Sequence, residues 1–98
     1  SLGQIAAMTS KNPAERFGLR SKGAIEVGKD ADLALVDPHA HVTVRAAESE
    51  SAQEYSPFEG FELDAQVTDT FVRGHQVLAD AKIVERVQPG RYQHRPSA

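Results

Sequence analysis

Two histidines two residues apart, His39-Ala40-His41, carry the clearest potential for metal chemistry in this sequence. On an extended strand such a pair points to one side, and both imidazoles can reach one cation. A catalytic zinc needs about three protein donors and an open position for water. The remaining histidines are His75 and His94, there is no cysteine, and no evident carboxylate completes a site beside the pair. Following Asp37-Pro38, His39 and His41 read as surface turn residues. Asp30 and Asp32 are the second tempting pair, since neighbouring carboxylates can divide acid and base roles. Aspartates also bind backbone amides at turns and strand entrances, and that structural use is the preferred reading. Within Ser56-Pro57-Phe58-Glu59-Gly60, Pro fixes one φ angle, Gly permits a positive one, and Phe58 can plug a hydrophobic hole. Glu59 is given no catalytic role, and Arg73 reads as solvated beside a turn or paired with an acid. No nucleophile elbow, phosphate-binding Gly loop or heptad occurs, and no local motif joins Ser, His and Asp.

The elements that would position these residues change character along the chain. Leu2, Ile5, Ala6, Met8 and Thr9 recur at near-helical spacing and predict an amphipathic helix. Asn12 fits the N-cap of a second, short helix, with Pro13 at its first position and Glu15 completing a capping-box arrangement. Gly18 follows where a left-handed C-terminal residue is needed. From Ala31 the period changes. Leu33-Ala34-Leu35-Val36 predicts a short buried strand stopped by Asp37-Pro38, and Val42-Thr43-Val44 another strand. Residues 46–55 are acidic and Ser-rich and read as a surface connection with room for a helical turn. Val67 to Val72 predicts a strand that turns at Gly74-His75 into a hairpin with Gln76-Val77-Leu78. Lys82 to Val87 gives one more strand, and the tail from Gln88 onward reads as mobile unless a partner holds it.

Ninety-eight residues allow one small domain that buries about 60–65% of the surface its unfolded chain exposes. Four Phe, two Tyr and no Trp support a modest core. The net charge of −3 argues against an electrostatic nucleic-acid binder. No apolar run approaches the roughly 18–20 residues that span a bilayer, and no signal-peptide pattern opens the chain. The absence of cysteine excludes disulfides and thiolate zinc sites and favours a cytoplasmic setting.

The run Asn12-Pro13-Ala14-Glu15-Arg16-Phe17-Gly18-Leu19, followed by Lys22-Gly23-Ala24-Ile25-Glu26-Val27-Gly28-Lys29-Asp30-Ala31-Asp32-Leu33, resembles the C-terminal end of cyclic amidohydrolases: hydantoinases and dihydropyrimidinases, allantoinases and dihydroorotases. The Ser56–Gly60 turn, the Thr70-Phe71-Val72-Arg73-Gly74 hairpin and the ending Pro89-Gly90-Arg91-Tyr92-Gln93-His94-Arg95-Pro96 are similar to segments of the same family, in the same order. The resemblance covers about Leu2 to Arg95. It implies a mainly β (α+β) chain with N-terminal helices, a partial composite β-sandwich domain of a metal-dependent (β/α)8-barrel amidohydrolase, the barrel itself absent. Residues 1–19 then correspond to the end of the barrel's last helix and a linker helix, 20–90 to the partial sandwich, and 91–98 to a tail that in hydantoinases often reaches across a subunit contact.

The resemblance also implies that the full-length parent hydrolyses an in-ring amide with one or two divalent metals, commonly zinc, which activate water. The family's metal ligands, bridging carboxylated lysine and catalytic aspartate belong to barrel segments upstream of Ser1. No catalytic, cofactor-binding or metal residue is therefore assigned here, and the chain is expected to be a structural part that is not catalytic alone. A non-catalytic scaffold paralogue and a free-standing binding module are the alternatives. The expected partners are the missing barrel and, through an open sheet edge, other copies of the chain; neither nucleic acid nor membrane is expected.

Overall fold

The computed structural model describes residues 1–84 and 90–96. It opens with a helical stretch built from α1 (Leu2–Ala6), a π turn (Ala7–Lys11) and α2 (Asn12–Arg16). Ser1 caps the start: its Oγ accepts from the Gln4 N–H at 3.2 Å, and its amine donates to Gln4 Oε1 at 3.0 Å. The predicted cap at Asn12 does not exist. Asn12 has helical angles of φ −64° and ψ −44°, and its N–H bonds back to Ala7 O. In a regular α-helix the Pro13 ring would press on the Thr9 carbonyl. The chain instead takes wider i→i+5 turns immediately before the proline and passes it without stopping. One helix therefore stands where two were expected.

The far end follows the sequence closely. Gly18 takes φ +70°, Leu19 N–H donates to Ala14 O at 2.9 Å, and Gly18 N–H donates to Glu15 O at 3.3 Å. This pair of bonds is a Schellman cap. A loop then runs to β1, its ends joined by the Asp30 N–H donating to Ser21 O at 2.8 Å.

Among the described residues six strands follow: β1 (Leu33–Asp37), β2 (Val42–Thr43), β3 (Glu62–Leu63), β4 (Gln66–Val72), β5 (His75–Ala79) and β6 (Lys82–Ile83). β1, β4, β5 and β6 form an antiparallel sheet in that order, while β2 and β3 pair as a separate ribbon. Bulges shift the register between Leu35 and Val36 against β4 and between Thr70 and Phe71 against β5. Both hairpins of the sheet close through two-residue loops with positive φ at both positions, Arg73-Gly74 and Asp80-Ala81. Such turns match the strand twist. The second has no glycine, which is why the sequence did not announce it. A 3-10 turn, Ala46–Glu48, lies in the connection from β2 to β3. The predicted strand from Lys82 to Val87 is present at Lys82–Ile83; residues 85–89 lie outside the described residues.

The expected core is not formed. Among the described residues Ala14 is the buried apolar side chain, 6% exposed. β1, predicted as a buried strand, is a sheet edge whose Leu35 and Val36 are 49% and 46% exposed. Its apolar run signals a buried environment, but no other element among the described residues covers it. Phe58, read as a plug, is also exposed and meets Phe61 edge-on at 5.6 Å. The Cα radius of gyration is 15.2 Å, against about 12.6 Å for a compact domain of this length.

Candidate functional site

The polar side chains converge where the 20–32 loop meets the sheet. Lys22 Nζ lies between the two acids singled out from sequence, 3.0 Å from Asp30 Oδ2 and in hydrogen-bond contact with Asp32 Oδ2. The other Asp32 oxygen accepts the Arg73 backbone N–H at 2.8 Å, and Gly74 N–H donates to Ala31 O at 2.9 Å. The loop is thus pinned to the tip of the β4–β5 hairpin, 41 residues away in sequence. Positive φ at Arg73 and Gly74 belongs to the turn that presents these two N–H groups to the loop.

The electrostatics agree with a clamp. The hydrogen bond to Asp32 chiefly, with Asp30 beside it, holds Lys22 above its ordinary 10.5 despite the opposing desolvation. Burial pushes Asp32 upward, but the Lys22 ammonium and the Arg73 N–H outweigh it and hold the carboxyl below 3.8. The Lys22 hydrogen bond is the main cause that lowers Asp30. Carboxyls held ionised in this way are poor proton donors near neutral pH. The arrangement orients backbone and fixes a loop.

The other candidates are dispersed. His39 sits in the turn after β1, where its N–H donates to Asp37 Oδ1 at 2.9 Å. His41 Nδ1 lies 3.0 Å from Asp64 Oδ1 across the β2–β3 ribbon, both side chains exposed. Among the described residues no three His, Asp or Glu side chains converge to hold a metal ion. The donors among the described residues do not fit a catalytic metal. Glu59 Oε2 accepts the Ala46 N–H at 2.7 Å and so tethers the 3-10 turn.

Sequence reasoning missed two groups. Lys22 gave no signal beyond a cation shortly before two acids. Asp69 gave one, a carboxylate inside a β-branched strand. It accepts from Thr68 Oγ1 at 2.8 Å, from Gln76 Nε2 at 2.9 Å and from the Asp80 N–H at 3.3 Å, buttressing the second hairpin turn. A cleft of about 370 Å³ beside the clamp is lined by Lys11, Glu15, Arg20, Lys22, Glu26 and Lys29, charges of both signs.

The mixed helix and sheet fold has close counterparts. Residues 1–77 match the model of the Amidohydrolase family. An allantoinase from Enterococcus faecalis is 43% identical over 79 residues, 81% of this chain and 17% of that protein. A dihydroorotase from Methanothermobacter thermautotrophicus is 41% identical over 92 residues, 94% of this chain and 21% of that protein. The crystal structure of dihydropyrimidinase from Brevibacillus agri superposes with a TM-score of 0.89 at 35% identity, covering 97% of this chain and 21% of that one. The fold is therefore that of an amidohydrolase segment. The chain belongs to the amidohydrolase family, among the cyclic amidohydrolases whose members are named allantoinase, dihydroorotase and hydantoinase. It spans about a fifth of the length of these relatives, 17% and 21% for the two proteins above. Among the described residues no helix is long and apolar enough to cross a membrane.

Proposed function

We propose that this chain is the C-terminal structural part of a metal-dependent hydrolase of cyclic amides, and that it is not catalytic by itself. The observation that carries the reading is its large accessible surface, with large apolar side chains among the exposed ones. The accessible area is 8245 Å², about half as much again as the roughly 5,500 Å² of a folded monomer of this mass. A chain that keeps its secondary structure but, among the described residues, fully buries Ala14 alone of its apolar side chains is built to be completed by something else. In this reading residues 1–19 are the helical link to a barrel, 20–90 are one portion of a β-sandwich shared with it, and 91–98 are a tail. The barrel supplies the divalent metal, zinc or a similar ion, and the substrate loops. The clamp of Lys22, Asp30 and Asp32 holds the 20–32 loop against the sheet. The lack of cysteine fits a cytoplasmic parent.

The test is direct. The chain is supplied with zinc or manganese and offered hydantoin, allantoin, dihydrouracil and dihydroorotate. No turnover is expected. Turnover that survives chromatography and disappears in the His39→Ala, His41→Ala double variant would overturn the proposal.

A further inference from the structure

We infer that the tail Tyr92–Pro96 is a strap that closes in cis on the capped end of the helix, with Phe17 and Gly18 as its receptor. Pro96 Cγ and Cδ lie 3.5 Å from where a Cβ on Gly18 would stand, so the bare glycine leaves the proline ring a seat. Beside it the Phe17 ring, 45% exposed, carries two guanidinium groups. The Arg95 carbon Cζ is 5.8 Å from the ring centroid and that of Arg16 is 5.6 Å. Both distances fall within the range in which a cation is attracted by an aromatic face. The receptor is also the C-terminal end of the helix, whose terminal carbonyls carry partial negative charge and favour a nearby cation. Within the strap, Tyr92 and His94 meet edge-on at 4.7 Å, an aromatic contact that favours one tail conformation.

Two contacts of different chemistry thus converge on one short segment, a proline against a glycine and a guanidinium against a ring, and the same guanidinium is the cation at the helix terminus. The tail read from sequence as a mobile end, or as an arm toward another subunit, is placed against its own chain. Its role is to tie the chain's end to the helix.

The sequence contains no cysteine, so a nitroxide on Gln93→Cys is the single label in the protein. In an isotope-labelled chain carrying the nitroxide, paramagnetic broadening of the Phe17, Gly18 and Leu19 amides is expected. It should be absent when isotope-labelled chain without nitroxide is mixed with spin-labelled chain of natural isotope content. Broadening in the mixed sample would put the strap on a neighbouring copy, and broadening in neither would leave it free; either result overturns the inference. Arg95→Ala, a change in the exposed tail, should reduce the closed population roughly two- to fivefold. Phe17→Tyr, which keeps the ring face, should retain it, and Phe17→Leu should lose it. Unchanged β4 and β5 amide resonances report that each variant is folded. Undiminished broadening in both Arg95→Ala and Phe17→Leu would overturn the cation–ring contact.

Discussion

Lys22 holds two carboxylates that would otherwise repel each other beside a backbone turn, and its removal should therefore be felt beyond its own contacts. Lys22→Met is expected to lower stability by about 1 kcal/mol, the scale of a partly exposed ion-pair network, measured as a shift in the denaturant midpoint. The pH dependence has a definite sign. Asp30 and Asp32 are held below 3.8, so their contribution is complete above that value and is lost as the pH falls through the folded-state values. Lys22 is held above 10.5, so its contribution is complete below 10.5 and is lost as the pH rises through its folded-state value. The clamp's contribution to the unfolding free energy should be level between these limits and fall on both sides. In Lys22→Met the acid limb should become shallower; an unchanged acid limb would show that the clamp does not lower the two carboxyls.

Two glycines with the same backbone angle separate strain from packing at the level of the elements. Gly23 and Gly28 both sit at φ +94°, but a Cβ on Gly23 would fall 2.6 Å from the Ala14 Cβ, whereas one on Gly28 would meet nothing within 4 Å. Gly28→Ala should lose only the conformational term, about 1–2 kcal/mol. Gly23→Ala should lose that and about 1–3 kcal/mol more through overpacking, and thermal unfolding of the two variants reads the difference. The β5–β6 turn offers the opposite experiment. Ala81 stands at φ +61°, and Ala81→Gly should stabilise the hairpin by about 0.5–1 kcal/mol by removing the left-handed penalty. A loss of stability there would mean that the Ala81 side chain packs more usefully than its exposure suggests.

The uncovered surface governs the behaviour of the molecule as a whole. Its excess over a compact monomer exceeds the about 1,600 Å² that a typical interface buries. Leu2, Ile5 and Met8 line an exposed helix face, and β1 presents an open edge with Leu35 and Val36 exposed. Open edges and large apolar patches drive association. The chain by itself is therefore expected to associate in a concentration-dependent manner in sedimentation experiments. A clean monomer from micromolar to near-millimolar concentration would count against this. Lys introduced at Leu35, which charges the edge strand, should shift the equilibrium toward monomer if the edge is the contact.

What the sequence determined was local. The glycine at the helix end and the strands expected at Leu33 and Val67 follow from φ preferences and side-chain alternation over a few residues. They stand where the spacing put them, within a residue, while the hairpin turn falls at Arg73-Gly74, one residue before the expected Gly74-His75. The order of motifs likewise carried the family, because each motif is a local device and their succession is specific. Tertiary structure decided the rest. Asn12 fits a cap, but whether the chain begins a helix there or widens to pass Pro13 depends on the turn already running from Ser1. Asp30 and Asp32 were legible as structural acids, yet Lys22 as their shared cation and the Arg73 N–H as a partner of Asp32 were not, since the hairpin that brings Arg73 lies 41 residues away. The exposure of β1 was least legible of all: an apolar run states that a strand must be covered, and only the fold shows that no other element among the described residues covers it.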